Sequence, residues 1–594
     1  MPRPETSFAQ PLLTPVDHVG GVALSLAVQD NYAYLGFSHE LMILDITDRT
    51  QPQWVASLPV TASDITLAEP YAYVVGRSGL AIIDIADPRH PLLLGRLTAA
   101  ATLSDIAVDA SYAYVISYSD LYVLAVADPL QPQVVGHRSF AARLEGVTAA
   151  QGYLYVTSTE GLHVIDLTDP TQPDAIALLK SEAVTNGPAF IDEDNLYFGA
   201  DNLLYRVDIS SPTAPHLVGV LPVQGWFGDI VIRNGIAYLA GGFGGLHLWD
   251  LADWQKPVYL RAYPIHGLAI ALTVVDGYVY VVDCDEGLHI FDATDPMQLT
   301  HIGAFIPLGV TYGLAVDRTA AYLAGGFNGG LHVVTMPTSA AVQPVTRHLV
   351  SAQVDGFDVA GDLAYVIEGS TLQIYALSAP TETYKVGAYA LNGERAIRVE
   401  GPYAYLSDDA GNVTLLDVAN PAYVRSVARH LNLGYVDAMA LDNAYLYLPY
   451  AEEGLRILTS TDSGELHLVG RYPTTATIEQ VAVAHGYAYL ALGKAGFQVV
   501  DVTDPAAPHL TSSYSTQDEA LDLVLGGHYA FVAAGSEGVL VFDLTEPATP
   551  VLIATHATLD CAHHLFIANG LLYVADRFGG LFVFAFEEAE HVTR

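Results

Sequence analysis

Three features of the 594-residue chain predict an all-β fold assembled from repeated four-stranded sheets. An aromatic anchor inside an Ala-Tyr-Leu or Leu-Tyr-Val run recurs fourteen times, turn signals punctuate the chain every few residues, and the segments between turns are too short for helices. The anchors are Tyr34, Tyr73, Tyr114, Tyr155, Tyr197, Tyr238, Tyr280, Tyr322, Tyr365, Tyr405, Tyr447, Tyr489, Phe531 and Tyr573. Their period of about 42 residues is that of four-stranded propeller blades.

Residues 62–98 show the anatomy of one repeat. Asp64-Ile-Thr-Leu-Ala is strand A, Glu69-Pro70 a turn, and Tyr71-Ala-Tyr-Val-Val strand B. Gly76-Arg-Ser-Gly79 is the next turn, Leu80 to Ile85 strand C, Asp87 to Pro91 a third turn, and Leu92 to Leu97 strand D. Strand C is apolar on both faces, with Leu80 and Ile82 on one and Ala81, Ile83 and Ile85 on the other. A sheet wetted on one side would alternate, whereas a blade stacked between two neighbours buries both faces.

Acidic residues recur at fixed places. Asp-Pro opens the C–D turn at Asp87, Asp128, Asp169, Asp295 and Asp504, where the carboxylate can bond the backbone ahead and Pro presets φ. A second Asp ends strand C at Asp45, Asp84, Asp166, Asp208, Asp250, Asp292, Asp417, Asp501 and Asp543. Repetition in so many blades points to a structural bond, since an active site needs one copy.

The runs Leu41-Met-Ile-Leu-Asp45, Leu80-Ala-Ile-Ile-Asp84, Leu162-His-Val-Ile-Asp166, Leu288-His-Ile-Phe-Asp292 and Phe497-Gln-Val-Val-Asp501 resemble the signature of LVIVD-repeat proteins. The resemblance implies a β-propeller, often bacterial or archaeal and often at a cell surface. It brings no catalytic residues. Repeats 3, 8, 9, 11 and 14 depart from it, with Ala125, Thr335, Ala376, Thr459 and Ala585 at the Asp position.

The last repeat stops after its strand C, and a surplus segment, Phe8-Ala-Gln-Pro-Leu-Leu-Thr14, precedes the first. Residues 8–16 are therefore expected to complete a blade as its strand D, removing an open edge. The partner is Gly580–Phe586 if the termini meet, or Gly287–Ala293 if the first ring closes on itself. Fourteen blades exceed the usual ring, so two seven-bladed β-propellers are expected, repeats 1–7 at residues 17–308 and repeats 8–14 at 309–587. Residues 1–7 and 588–594 are tails. One large ring and an eight-plus-six split are the alternatives.

Lys and Arg total 24 against 65 Asp and Glu, a formal net charge of −41. That field repels phosphate backbones, which speaks against nucleic-acid partners. There is no signal-peptide core at the N-terminus and no apolar run of membrane-spanning length, so no membrane insertion is expected. The chain reads as soluble, cytoplasmic by default and cell-surface or secreted by resemblance. Two cysteines, Cys284 and Cys561, allow at most one disulfide.

Four groups of residues are candidate sites. An acidic residue stands nine or ten positions before the anchor at Asp64, Asp105, Glu145, Asp229, Asp355, Asp437, Glu479 and Asp522. These form an expected channel rim that either holds Ca2+ or another divalent cation, or caps backbone amides. His163, His247, His289 and His332 share a strand C register, one per blade, which suits packing better than a common metal. Asp560, Cys561, His563 and His564 precede Arg577 in the last blade and carry zinc-type donors, although adjacent strand residues face opposite ways. Trp226, Phe227 and Asp229 join Phe243, within Gly-Gly-Phe-Gly-Gly, to place aromatics and bare backbone on one face of blade 6. Phe327 and Phe578 lie in similar turns, which favours a structural role for Phe243. Calcium-loop-like runs occur at Asp283–Glu286 and Asp408–Asn412 without the full ligand spacing.

No nucleotide, serine-hydrolase or zinc-protease motif is present. The expected function is a non-catalytic binding or scaffold protein without a required cofactor, its partner a protein. The alternative is a propeller hydrolase or lyase with a polar channel site, with or without a divalent cation.

Overall fold

The computed structural model describes residues 13–586 except 20–21, 38–39, 100, 110, 181–184, 224, 266, 285–286, 297, 306–310, 317–319, 326–330, 336–347, 351–353, 380–381, 431–437, 443–444, 451–452, 461–465, 559, 569 and 578. The described residues form fourteen four-stranded antiparallel sheets. They contain no α-helix, only a 3-10 turn at Pro421–Tyr423. All fourteen anchor aromatics lie in the second strand of their sheets.

Blade 2 shows why the sequence folds this way. Its strands are Asp64–Ala68, Tyr71–Gly76, Gly79–Asp84 and Leu92–Leu97. Ala72 and Val74 point into a core shared with blade 1, and Tyr73 and Val75 into a core shared with blade 3. Strand B is thus buried on both sides, which accounts for its lack of polar positions. The outer strand D is half exposed, with Leu92 and Leu93 facing solvent.

The capping assigned to Asp is seen in detail. At the end of strand C, Asp45, Asp84, Asp166, Asp208, Asp250, Asp292, Asp417, Asp501 and Asp543 each accept the backbone N–H two residues on, at 2.7–3.1 Å. In the C–D turns, Asp87, Asp128, Asp169 and Asp504 do the same. Threonine hydroxyls and these amides hold the Asp166 and Asp501 carboxyls below the usual range.

The blades divide into two compact units of seven. One is Val22–Ile306, and the other joins Met1–Gly21 to Pro307–Arg594. Within Val22–Ile306, a core lies between each successive pair of blades, and the seventh joins Leu35 and Leu44 of blade 1 to Tyr280, Val282 and Ile290 of blade 7. The second unit repeats the scheme, closing where Leu323 of blade 8 meets Tyr573, Leu581 and Val583 of blade 14.

The two units close by different means. The first uses only its own contiguous blades. Arg49, in the C–D turn of blade 1, donates from Nε to the Tyr280 hydroxyl at 2.8 Å and lies 4.4 Å above the Tyr278 ring. Its carbonyl packs on Gly303 in strand D of blade 7, where a Cβ would collide with it. The same packing sets the Pro129 carbonyl on Gly95 between blades 2 and 3, so Arg49 closes the ring with an ordinary blade contact. The second unit borrows a strand. Leu13–Val19 pairs antiparallel with Leu581–Phe586, from Leu13 opposite Phe586 to Val19 opposite Leu581.

The described part of the borrowed strand is Leu13–Val19, which runs past the end expected at residue 16. Residues 8–12 of the expected strand lie outside the described residues. Leu13 is fully buried in the core between blades 13 and 14, and that anchor sets the register. The strand belongs to the second unit, so the first begins at Val22 rather than residue 17.

Candidate functional site

The antiparallel meander puts every B–C turn and D–A connection of a unit on the same face, around the innermost strands A. In the first unit the strands A pack side by side and close from blade 7 back to blade 1. The carboxylates at the start of these strands do not point freely into the channel.

Asp105 accepts its neighbour's amide, Ile106 N–H, at 2.8 Å and reaches across to Val147 N–H of blade 4 at 2.7 Å. Asp64 accepts Ile106 N–H of blade 3 at 3.1 Å. Asp229 accepts Ile230 N–H at 2.7 Å and Leu272 N–H of blade 7 at 2.9 Å. In the second unit, Asp522 accepts Leu523 N–H at 2.7 Å and Leu565 N–H of blade 14 at 2.8 Å. Asp105, Asp229 and Asp522 therefore each cap their own strand and latch it to the next blade, and Asp64 makes the cross-blade bond.

Two latches escaped the acidic pattern. In blade 9, Asp358 rather than Asp355 spans the gap, taking Val359 N–H at 2.9 Å and Val399 N–H at 2.7 Å. It stands opposite the anchor Tyr365, while Asp105 stands opposite Ile116. Asp355 instead takes Gly369 N–H at 3.0 Å and lies 3.6 Å from Arg395. In blade 12, the exposed Glu479 gives way to the buried Gln480, whose Oε1 takes Val481 N–H at 3.0 Å. Glu145 is half-buried and pairs with Arg143 at 3.2 Å. Asp437 lies outside the described residues.

Burial decides how these groups titrate. Burial, the Asp64 charge and a hydrogen bond shared with Asp64 hold the Asp105 carboxyl well above the usual range. Burial pushes Asp229 up to about 6, against its two amides, and also raises Glu145. Asp522 goes the other way: burial opposes ionisation, but His564, the Leu565 amide and Gln480 outweigh it. A carboxyl raised on folding favours the folded state fully below its unfolded pKa, and that advantage is lost as pH rises through the folded value. Asp229 is thus expected to work against folding above about pH 6. Relative to Asp229→Asn, the wild type should gain on the order of 2 kcal/mol of unfolding free energy between pH 7 and pH 4. Urea titrations of both proteins across that range measure it, and parallel profiles would refute the assignment.

The cluster in blade 14 is also tied down. His564 Nδ1 lies 3.2 Å from Asp522, and Asp560 N–H donates to the fully buried Asp576 at 2.8 Å. The His563 and His564 rings are 4.9 Å apart. Burial, with the neighbouring His564 and Arg577 charges, pushes His563 down to about 4. Arg577 takes a left-handed φ of 47° in the B–C turn. Burial raises the Cys561 thiol, and neither Cys284 nor Cys561 is in a disulfide. Among the described residues, no group of three or more His, Cys, Asp or Glu is arranged to hold a metal ion.

The strand C histidines are used singly. His163 meets Ser158 Oγ at 3.0 Å, His247 meets the Gly244 carbonyl at 3.1 Å, and His289 meets His301 at 3.4 Å. The His332 side chain lies outside the described residues. Asp408 accepts the Ala410 and Asn412 amides at 3.0 and 2.9 Å, which closes that run as a turn.

The aromatic cluster of blade 6 is different. Phe227 is buried at 2% exposure in the core between blades 5 and 6. Trp226 is 45% exposed and Phe243 76% exposed. The Trp226 indole lies against Gly242 and Gly228, where a Cβ would meet its ring at about 3 Å. Gly242 also pairs with Ala269 of blade 7 in an isolated bridge. The same bridge recurs at Gly493–Ala520 and Gly535–Ala562, but with other side chains around it. Over Gly493 lies Glu479, and over Gly535 lies Asp518. The residue after the glycine is Lys494 in one turn and Ser536 in the other, Lys494 lying 3.5 Å from Glu519 and Ser536 donating to Asp518. The turn therefore needs neither aromatic. Phe327, Phe578 and Gln224 lie outside the described residues.

Comparisons with known proteins agree with the fold. The LVIVD repeat pattern matches residues 20–58, 61–99, 145–177, 191–221, 266–305, 395–429, 478–516 and 518–558. No curated protein sequence matches the chain. Among solved structures, it is similar to PorZ, described as an essential bacterial surface component of the type-IX secretion system of Porphyromonas gingivalis. The identity is 14% and the TM-score 0.61, over 97% of this chain and 87% of PorZ. A computationally designed protein, Ika8, aligns with 54% of this chain and 98% of its own at 14% identity and a TM-score of 0.40. No helix among the described residues is long and apolar enough to cross a membrane.

Proposed function

The chain belongs to the LVIVD-repeat family, and on that premise we propose that it is a non-catalytic binding protein that docks a protein partner on the loop face of its first ring. One observation carries the reading. At three turns with the same backbone bridge, two have polar side chains that bond to their neighbours, and the third presents Trp226 and Phe243 to solvent. Exposed aromatics that the fold does not require are the usual anchors of protein interfaces. The repeated carboxylates support it from the other side, since their oxygens serve backbone amides. A cell-surface location, as described for PorZ, is part of the proposal.

The test is comparative capture from the native organism. A partner retained by the wild type should be lost, by about tenfold or more, from Trp226→Ala with Phe243→Ala. Both side chains are exposed, so the variant should melt close to the wild type. Equal recovery by both proteins would move the interface elsewhere.

A further inference from the structure

We propose that the Trp226–Phe243 surface recognises a basic, arginine-bearing segment of the partner, held by cation–π stacking. This rests on the binding reading above and adds the chemistry of the ligand. The ring faces are the first argument. Trp226 packs against the bare backbone of Gly228 and Gly242 and still leaves 45% of its surface to solvent. A half-exposed indole and an exposed phenyl ring in one loop cluster offer negative ring quadrupoles to a flat cation, and guanidinium stacks on them better than ammonium.

Charge is the second argument. The chain carries a formal net charge of −41, a field that concentrates cations near its surface. On the same loop face, the B–C turns of blades 4 and 5 present the exposed Glu160 and Asp201. The protein itself already uses this chemistry where cation and ring are both its own: Arg456 lies 3.6 Å from the centroid of Tyr450, and Arg49 4.4 Å from that of Tyr278. An anionic partner would be repelled by these surroundings, and a purely apolar one would gain from the rings but not from the charge.

The test uses the full chain and a fluorescent octa-arginine peptide, read by anisotropy at about 0.15 M salt, where long-range attraction is largely screened. A citrulline octamer has nearly the shape of the arginine peptide without its charge. Arginine should bind about tenfold more tightly than citrulline. Trp226→Ala with Phe243→Ala should remove about that margin, and Trp226→Phe should keep most of it. Equal affinity in the double variant would show diffuse attraction to an acidic surface and overturn the proposal. Citrulline binding as well as arginine would overturn it too. If capture of the native partner still depends on Trp226 and Phe243 in either case, the binding reading stands and only the ligand class fails.

Discussion

Asp522→Ala is expected to destabilise the second ring by about 2–5 kcal/mol. The side chain is 4% exposed and satisfies Leu523 N–H, Leu565 N–H and His564 at once. Alanine leaves two buried amides without acceptors, each worth about 1–3 kcal/mol. It also unlatches blade 13 from blade 14, the blade that the borrowed strand completes. Asp522→Asn keeps one acceptor and turns a donor toward the other amide, so it should lie between. Gln480 fills the equivalent place in the preceding blade and accepts Val481 N–H there, so the cap on the strand needs an acceptor and not a charge. Urea unfolding at pH 7 should rank the proteins wild type, Asn, Ala. An alanine variant within about 0.5 kcal/mol of the wild type would mean that these bonds contribute little.

That latch shows where sequence reasoning stops. The blade period, the strand order and the Asp turns are local, and each leaves its mark within ten residues of an anchor. The outcome for Asp166 and Asp501 follows, because their acceptor geometry is set by the two residues after them. The second oxygen of Asp105 bonds Val147, one whole repeat away, and no pattern within a repeat displays that. A search restricted to acidic residues passes over Gln480, and one tied to a fixed offset selects Asp355 over Asp358. The closing strand was legible as an extra strand, but not its register. Pro11-Leu-Leu matches a strand D by composition, whereas the position is settled by where Leu13 finds a core. At Trp226 the sequence offered aromatics beside glycines. It could not show that Phe227 turns inward and Trp226 outward, since alternation is lost in an irregular connection.

Deleting residues 1–19 should separate the two rings in a calorimetric scan. The first ring draws all seven blades from Val22–Ile306 and closes through Arg49, Tyr280 and Gly303, so its transition should not move. The second ring loses the strand opposite Leu581–Phe586 and the fully buried Leu13. Truncating a buried leucine alone costs about 2–5 kcal/mol. The deletion adds the ladder bonds of a whole strand and leaves Leu581–Phe586 as an apolar open edge, prone to pair with another chain. For a unit of this size, about 1 kcal/mol moves the melting temperature by roughly 2–4 °C, so a fall of about 10 °C or more is expected in one transition only. Leu13→Asp in the full chain should lower the same transition, because it puts an unpaired charge into the core between blades 13 and 14. A synthetic peptide of residues 10–21 added to the truncated protein should restore part of the loss, since a missing strand can be supplied in trans. A single transition that shifts as a whole would mean that the rings unfold together. No shift in either transition would mean that Leu13–Val19 contributes nothing to closing the ring.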